Sequence, residues 1–563
     1  MKLGIKNLIA IAFIVAAFTV SSCKKDFFNR PPSDNTTVGS FYQTTDQVQA
    51  STNILYTSAW AGFNGKAFLA IGDVQSGNVI LDAGADPEIS PFRNFSIGNA
   101  SAGVQNAWYA LYTEIAQCNA LLTNLPAGVS ASVPASAVNN ALGEARLMRA
   151  LSYFYLGRLF GNVPIITDPT TMVDTFQTVP TAPVTDVYKF IVRDLQFAVA
   201  NCSPNVANTG HVSSGSAAGL LAKVYLYEQN YDSAAYYAEK VINSGEFQLV
   251  GTAGSSLSYC NMFESIGNNC SESMIAEQYG GASANAGYGH GNQIQSVAAA
   301  SNGNGGNPTN ITGFTDGWAE LGISFDLQKA FIADNDSIRR YGTYMLGGDF
   351  YPEITASSGG LTVPYTISAQ ESHAAYKKYI TGTPSDNGGF GAMQSAANNT
   401  YLLRYADMYL IAAEAILGKS AGIQPGSGIP LTQPCTDGTA LKYLNTIRER
   451  AGLSDLSVSN FTYQQIWNER RLEFALEGEF WYDLQRLDGF NAAHHPVAIS
   501  IIDNQQRGNA SAGTAANNYQ DYTITDFYVT ATDANFLLPI PATEINEDPM
   551  LAGQPVPYNF DNN

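Results

Sequence analysis

The residues in this sequence that most resemble catalytic machinery are three glutamates spaced four apart. Glu469, Glu473 and Glu477 would share one face of the helix that the apolar pattern predicts over residues 466–487. Adjacent carboxylates can serve as a general acid and a general base. The same predicted helix carries arginines at positions 470, 471 and 486, so we interpret the acids as ion-pairing groups that fix helix packing. Two other pairs receive the same structural interpretation: Glu144 with Arg149, and Arg404 with Asp407.

No other arrangement of residues in the sequence indicates an active site or a cofactor. The five histidines lie at positions 211, 290, 373, 494 and 495. Only the last two are adjacent, and because Pro496 follows them we favour a turn over a metal site. The cysteines form no CxxC or Cys/His motif, so no zinc site is predicted. The glycines of residues 280–317 do not open a helix, as a phosphate-binding loop requires. We expect neither a metal nor a cofactor.

The composition excludes two broad classes of protein. The 563 residues contain 28 Lys and Arg against 48 Asp and Glu, and the net charge of −20 repels nucleic-acid phosphates and anionic lipid headgroups. Hydrophobic residues make up 45% of the chain, which excludes a disordered protein. Charged residues reach only 13%, whereas aromatic residues reach 11%. This balance suits an exported protein that meets uncharged polar ligands by stacking and hydrogen bonding.

The first residues have the pattern of an export signal. Lys2 and Lys6 precede an apolar run over residues 8–20, which is shorter than the roughly 20 residues that span a bilayer. The sequence VSSC that ends at Cys23 resembles the lipobox of bacterial lipoproteins, in which this cysteine becomes lipidated. We therefore expect a signal peptide over residues 1–22. A lipidated Cys23 and a linker rich in Pro, Ser and Asn would follow over residues 23–40.

Five further cysteines are spread along the chain: Cys118, Cys202, Cys260, Cys270 and Cys435. An odd number leaves at least one thiol unpaired in an exported protein. Cys260 and Cys270 are close enough in sequence to close a short loop by a disulfide. Spacing alone leaves that pairing open.

Helical patterns dominate the rest of the sequence. Over residues 221–242, small and aromatic residues are spaced as in the helix pair of a tetratricopeptide (TPR) repeat, with a turn around Asn230. Similar patterns predict further helices over residues 104–125, 141–160, 403–417 and 441–451. Residues 251–400 are instead rich in Gly and Asn and lack a sustained period, which predicts long surface loops with short strands or turns.

Four sequence blocks follow one another in a characteristic order. They are EARLMRALSYFY from Glu144 with FGNVP from Phe160, LRYAD from Leu403 with AEA from Ala413, ERRLEFALEG from Glu469, and LPIPATEI from Leu538. Together with the VSSC motif, these blocks resemble those of the SusD/RagB family of outer-membrane nutrient-binding lipoproteins. The resemblance covers essentially all of the mature chain.

The resemblance implies a mainly α fold, in which TPR-like helical hairpins form a single large SusD-like unit with a loop-rich, irregular ligand-binding half. The N-terminal TPR-like part would cover residues 41–250, and the C-terminal part 251–563, with the loop-rich insertion at 251–400. The resemblance also implies a non-enzymatic protein, lipid-anchored in the cell outer membrane and facing the exterior. Such a protein binds glycans and delivers them to a SusC-like TonB-dependent transporter. The alternatives are a SusD-like protein that binds peptides, a lipid-anchored TPR-type protein-interaction scaffold, and a hydrolase.

The chemistry of glycan binding selects six candidate ligand-binding residues. Flat aromatic rings stack on sugars, and Asn, Asp and Arg form hydrogen bonds to hydroxyl groups. The aromatic candidates lie in the Gly/Asn-rich region: Tyr279, Tyr288 and Trp318. The polar candidates lie in the loop-like segment that precedes Trp108: Asp73, Asn78 and Arg93. Trp108 itself falls on an apolar helix stripe, so we assign it to the core.

Overall fold

The computed structural model describes residues 41–562 except 58–59, 61, 82–85, 169–177, 205–209, 280–290, 301–310, 314–316, 366, 368–371, 392–393 and 512–522. The predicted signal peptide (1–22), the lipid attachment at Cys23, the linker to residue 40 and the ligand candidate Tyr288 lie outside the described residues. About 51% of the chain is helical and the strands are few and short, so the predicted mainly α fold is confirmed.

The helices are, in chain order, α1 (Thr45–Ala50), α2 (Ser90–Arg93), α3 (Ala102–Gly128), α4 (Ala135–Phe160), α5 (Val184–Asn201), α6 (Ser214–Tyr227), α7 (Tyr231–Ile242), α8 (Ile294–Ala298), α9 (Phe325–Ala333), α10 (Ser337–Thr343), α11 (Tyr405–Ser420), α12 (Gly438–Arg450), α13 (Tyr463–Glu473), α14 (Phe480–Arg486), α15 (Pro496–Asn504) and α16 (Ala542–Glu547). Two π-helical turns, Phe63–Ala67 and Ala70–Val74, precede α2. The buried side chains form one large core along these helices, and Trp108 lies in it, as predicted.

The strands pair two by two, and every pair is antiparallel. They are β1 (Val79–Ile80) with β3 (Gly322–Ile323), β2 (Ser273–Glu277) with β8 (Thr400–Arg404), β4 (Tyr344–Leu346) with β7 (Ala374–Tyr376), β5 (Phe350–Tyr351) with β6 (Leu361–Thr362), and β9 (Asn509–Ser511) with β10 (Thr523–Thr525). Most of these strands lie in the Gly/Asn-rich region, where short strands are predicted. That region also contains α8, α9 and α10, which the sequence reasoning does not predict.

Successive helices α3 to α7 pack against one another, and α11 and α12 continue the series from α7. The TPR-like hairpin predicted over residues 221–242 is confirmed as α6 and α7. Ala222, Ala234 and Ala238 are fully buried, and small side chains there let the two helices approach closely. The side chain of Asn230 caps α7 by accepting the N–H of Ser233 at 3.2 Å.

The helix predicted over residues 466–487 is in fact two helices, α13 and α14. Leu476 and Gly478, between them, have φ angles of 64° and 73°, which a helix does not tolerate. Gly478 packs so closely on Gly72 that a Cβ atom on Gly72 would lie 2.2 Å from the Cα atom of Gly478. Glu477 therefore lies in the connecting turn and not on the helix face of the other two glutamates.

The predicted structural role of these acids is confirmed, although their partners come from other elements. Glu473 is fully buried and receives the guanidinium groups of Arg404, Arg450 and Arg339. Burial would raise the pKa of Glu473, but the three guanidinium groups, Arg450 foremost, hold that pKa well below its usual range. Glu473 is thus a permanently charged anchor between α13 and its neighbours.

The predicted pairing of Glu144 with Arg149 is wrong. The two residues are five positions apart on α4, so their side chains point away from each other around the helix. Glu144 instead accepts the hydroxyl of Tyr56 at 2.8 Å, and Arg149 Nε donates to Asp194 Oδ2 at 2.8 Å. Both groups still serve packing, which agrees with the structural interpretation but not with the partners.

The predicted pairing of Arg404 with Asp407 is also wrong. Arg404 ends strand β8, whereas Asp407 lies in the first turn of α11, and the two side chains diverge. Asp407 is buried between Lys223 Nζ at 3.1 Å and Arg470 Nη1 at 2.6 Å. Burial would raise the pKa of Asp407, but these two cations overcome burial and lower the pKa to about 2.

The depressed pKa of Asp407 predicts a loss of stability in acid. In the unfolded chain an aspartate titrates near pH 4, so the ionised side chain contributes stability above about pH 4 that is lost as the pH falls toward 2. This contribution is roughly 2 to 3 kcal/mol. In thermal unfolding between pH 6 and pH 2, we expect Asp407→Asn to be destabilised at pH 6 and to approach the wild type near pH 2. Asp232→Asn, on the surface of α7, should follow the wild type throughout, and a constant gap between Asp407→Asn and the wild type would contradict the assignment.

All five cysteines outside the N-terminal segment are free thiols in the described structure. The pairing of Cys260 with Cys270 that the sequence left open is therefore absent. Among the described residues, no helix is both long and apolar enough to cross a bilayer.

Candidate functional site

A short buried helix, α8, joins the two halves of the candidate site. The carbonyl oxygen of Ser296 accepts the N–H of Trp318 at 2.8 Å. The adjacent Gln295 accepts the N–H of Thr381 through its Oε1 atom at 2.7 Å. Because Ser296 and Gln295 are consecutive, the segment that carries Trp318 and the segment of Thr381, which lines a cavity, are both fixed to α8.

The first half of the site is the indole ring of Trp318. This residue is 36% exposed, although it is one of the largest apolar side chains in the protein. Lys66 Nζ lies 5.4 Å from the ring centroid, within the range of a cation–π contact. Lys66 projects from the π-helical turn Phe63–Ala67. Such turns are rare in proteins as a whole, but many of those that occur lie at functional sites. The ring is therefore both fixed and accessible, as a stacking platform must be.

Polar groups surround the cation beside the ring. Lys66 forms an ion pair with Asp86, and Asp86 Oδ1 accepts the N–H of Glu88 at 2.8 Å. Asn106 Nδ2 donates to Glu88 Oε1 at 2.7 Å, and the N–H of Asp86 donates to Glu320 Oε2 at 3.4 Å. All of these side chains are half-buried. They offer hydrogen-bond acceptors next to a flat apolar face.

The second half of the site is a cavity of about 570 Å³, within the range of ordinary ligand pockets. Ile266 and Phe390 line it and are 71% and 57% exposed. Asn387 stabilises the wall of this cavity, because Asn387 Nδ2 donates to the carbonyl oxygens of Thr381 at 2.9 Å and Thr383 at 2.8 Å. Other polar lining residues are Asn261, Glu264, Asn268, Glu353 and Asp386.

Tyr279 lines the same cavity and is anchored at both its backbone and its hydroxyl. Its N–H donates to Asn399 Oδ1 at 2.9 Å, and its hydroxyl lies 3.4 Å from Asn64 Nδ2. Asn64 also donates to the buried carboxyl of Glu277. Burial raises the pKa of Glu277 to about 8, so this carboxyl is mostly protonated at neutral pH. Uncharged groups therefore hold the hydroxyl of Tyr279 toward the protein interior, and its half-buried ring lines the cavity.

A group of acidic and thiol side chains at the cavity already has a cation of the protein beside it. Cys260, Glu264 and Glu353 bring their ligand atoms within 4.8 Å of one another. Lys377 Nζ, however, lies 2.8 Å from Glu264 Oε1 and 3.5 Å from Glu353 Oε1. This ammonium supplies the positive charge that a metal ion would otherwise bring, so we assign no metal to these residues.

Two of the three polar candidates from the sequence cannot contact a ligand in this structure. Asp73 and Asn78 are fully buried, because the predicted loop is a helical segment with two π turns, packed into the core. Asp73 Oδ2 accepts the N–H of Gly478 at 3.2 Å, and burial raises the pKa of Asp73 to about 7. Asn78 Oδ1 accepts from Arg471 Nε at 3.0 Å. Both residues hold core segments together, so the ligand-binding prediction for them is corrected.

The other candidates have different outcomes. Arg93, half-buried, places its guanidinium 4.0 Å from the ring centroid of Phe527, away from the contacts described for Trp318. Trp318 is exposed on a segment bonded to α8, and Tyr279 lines the cavity, one wall of which is also bonded to α8. The sequence reasoning missed Lys66, Ile266 and Phe390. Only Phe390 carried a usable signal, since it follows Gly388 and Gly389 in the same kind of glycine-rich loop as the chosen aromatic residues.

Comparison with known proteins gives consistent matches along the chain. The family model described as "SusD family" matches residues 282–557, and the one described as "Starch-binding associating with outer membrane" matches residues 93–226. A SusD-like protein of Bacteroides ovatus is 29% identical over 593 aligned positions, covering 100% of both chains.

Solved structures agree with these sequence matches. A crystal structure with a xylogluco-oligosaccharide is 27% identical, with a TM-score of 0.75, and covers 91% of this chain and 99% of that chain. A laminarin-binding SusD-like protein is 23% identical with a TM-score of 0.66, and the match covers 90% of this chain and 98% of that chain. The second likeness supports the fold alone.

Proposed function

The chain belongs to the SusD family, and on this basis we propose that it is a glycan-binding protein whose ligand surface is formed by Trp318 and the adjoining cavity. The observation that carries the proposal is the exposed indole of Trp318, fixed beside half-buried polar side chains. A sugar ring has an apolar face and a rim of hydroxyl groups, and this surface offers a partner for each. The crystallised relative with a xylogluco-oligosaccharide supports the same class of ligand.

Capture would use the two halves of the surface together. One sugar unit would stack on the indole of Trp318 while its hydroxyl groups donate to Asp86 or Glu88. Neighbouring units would extend into the cavity, where Phe390 and Tyr279 offer further rings. The protein would carry out no chemistry on the ligand, because binding and release suffice for a capture step. The protein would therefore act as a non-enzymatic receptor.

We further propose that the protein acts at the outer membrane and hands its ligand to a SusC-like TonB-dependent transporter. Lipidation of Cys23 would hold it there, on the exterior face, with residues 24–40 as a tether. Co-purification tests this part: the wild type should bring a large β-barrel protein out of solubilised outer membranes. Cys23→Ser should be lost from the membrane fraction, and its retention there would contradict the anchoring.

A binding screen tests the proposed ligand class. Purified protein without residues 1–23 should bind one or more neutral oligosaccharides on a glycan array, above the signal of an unrelated lipoprotein. A peptide array run in parallel tests the peptide alternative. Binding to peptides but to no glycan would refute the proposal. Release of shorter products from a bound polysaccharide would contradict the non-enzymatic part.

Two substitutions of Tyr279 distinguish a ring contact from a hydroxyl contact. We expect Tyr279→Ala to weaken glycan binding about tenfold, or ~1.4 kcal/mol, because the cavity loses an aromatic wall. Tyr279→Phe should change the affinity by less than about threefold, since the hydroxyl points to Asn64 inside the protein. Isothermal titration calorimetry with one oligosaccharide measures both. An equal loss in the two variants would mean that the hydroxyl itself contacts the ligand.

A further inference from the structure

The charges at the candidate site narrow the class of glycan that it accepts. Near Trp318, Asp86, Glu88 and Glu320 are linked by backbone hydrogen bonds, and the ammonium of Lys66 forms an ion pair with Asp86. Within the described residues around the ring, the balance is therefore three negative charges against one positive charge. A ligand that stacks on the indole meets an excess of negative charge.

The cavity also has more carboxyl groups than cations, from a different set of residues. Glu264, Glu353 and Asp386 line it, and among the described residues Lys377, which is 1% exposed, pairs with the first two. Burial and the neighbouring Glu264 raise the pKa of Glu353, so the excess of negative charge rests mainly on Glu264 and Asp386. Asp386 accepts the N–H groups of Thr355 at 3.0 Å and Thr383 at 2.8 Å, so its carboxylate is fixed in the wall. Two halves built by different segments thus carry the same sign of charge.

The hydrogen bonds that these carboxylates already accept determine which ligand groups they can still bind. Each acidic group described above already accepts hydrogen bonds from the protein or neighbours an ammonium, yet keeps lone pairs free, because a carboxylate accepts about four. Hydroxyl groups can donate to those lone pairs. A carboxylate or a sulfate on the ligand has no proton to donate. The carboxylates of the protein would repel it at short distance, where little water screens the charges.

We propose that the site selects uncharged glycans and rejects glycans that carry uronate or sulfate groups. This inference rests on the proposed function, because it assigns the substrate class of the same surface. The net charge of −20 on the whole chain acts in the same direction by repelling polyanions before contact. A receptor for acidic polysaccharides would need cations at the surface that are free to pair with them. At this surface, Lys66 and Lys377 are each engaged with carboxylates of the protein.

The test compares one neutral oligosaccharide with its derivative in which primary hydroxyl groups are oxidised to carboxylates, at equal length and linkage. The neutral ligand is chosen from the array. Calorimetry at 20 mM salt should show the carboxylated ligand binding at least about tenfold more weakly. At 300 mM salt the gap should narrow, because screening weakens the repulsion. Equal or tighter binding of the carboxylated ligand at low salt would overturn the inference while the proposed function stands.

A pair of charge variants connects the effect to these residues. In Glu320→Gln combined with Glu353→Gln, the ratio between the two affinities should shrink at least threefold at 20 mM salt. An unchanged ratio would overturn the assignment to this surface. Folding of the variant is verified by its thermal unfolding midpoint, and the salt dependence of the wild type gives the answer without any substitution. Absence of binding to either ligand would refute the proposed function and this inference with it.

Discussion

Replacing Trp318 by alanine is expected to weaken glycan binding by at least about 30-fold, or roughly 2 kcal/mol, which is the size of an interface hot spot. The indole is the largest exposed apolar side chain that we assign to the surface, and truncation removes the whole stacking platform. It also removes the cation–π contact of the Lys66 ammonium, which keeps its ion pair with Asp86. Calorimetric titration with the oligosaccharide from the array measures the change.

The matched control for this variant is Tyr236→Ala. Tyr236 is 61% exposed on helix α7 of the TPR-like hairpin, so its loss removes a comparable surface ring without touching the proposed site. We expect its affinity to stay within about twofold of the wild type. If the two variants lost affinity equally, the binding surface would not be the one around Trp318.

Replacing Arg404 by methionine is expected to lower the free energy of unfolding by about 3 to 5 kcal/mol. Arg404 is 1% exposed and contacts three carboxylates, those of Glu272, Glu473 and Glu477. Methionine fills part of the same volume but leaves these buried charges with fewer partners. Chemical denaturation, followed by circular dichroism, gives the difference in unfolding free energy.

The control is an ion pair of the same type on the surface. Lys419 and Asp232 pair at 2.8 Å, but their side chains are 60% and 75% exposed. We expect Lys419→Met to unfold at the wild-type denaturant concentration, because exposed ion pairs contribute little. A similarly small effect for Arg404→Met would show that the buried cluster is not what holds β8, α12 and α13 together.

Helices were predictable from sequence because their signals are local. The spacing of small and aromatic residues around Ala222 and Ala234 located α7 and the second half of α6, which begins at Ser214, before the predicted start at residue 221, and Asn230 marked their turn. The break between α13 and α14 was not predictable, because it depends on Gly478 meeting Gly72 from more than 400 residues away in the chain. The predictions of ion-pair partners were wrong for the same reason. Neighbouring residues were proposed as ion-pair partners of Glu144 and Arg404, whereas Glu144 bonds to the distant Tyr56 and His211 and Arg404 pairs with the distant Glu272 and Glu473.

The types of residue expected at the candidate site could be predicted from the sequence, but only some of the positions could. Trp318 and Tyr279 could be chosen because glycine-rich segments can present rings to solvent; in the structure Trp318 is exposed and Tyr279 lines the cavity, and their ligand contact stays a prediction. Asp73 and Asn78 were misplaced because a π-helical segment lacks the regular 3.6-residue period by which helices are recognised. Lys66 could not be chosen from the sequence, since its role depends on where α8 fixes Trp318.

A crystal structure of the protein with a bound neutral oligosaccharide tests the central claim most directly. We predict a sugar ring stacked on the indole of Trp318, with carbon atoms about 4 Å from its plane. The adjoining units should reach toward Tyr279 and Phe390 at the cavity. An ordered oligosaccharide bound elsewhere on the protein, with the indole of Trp318 left uncovered, would contradict the account.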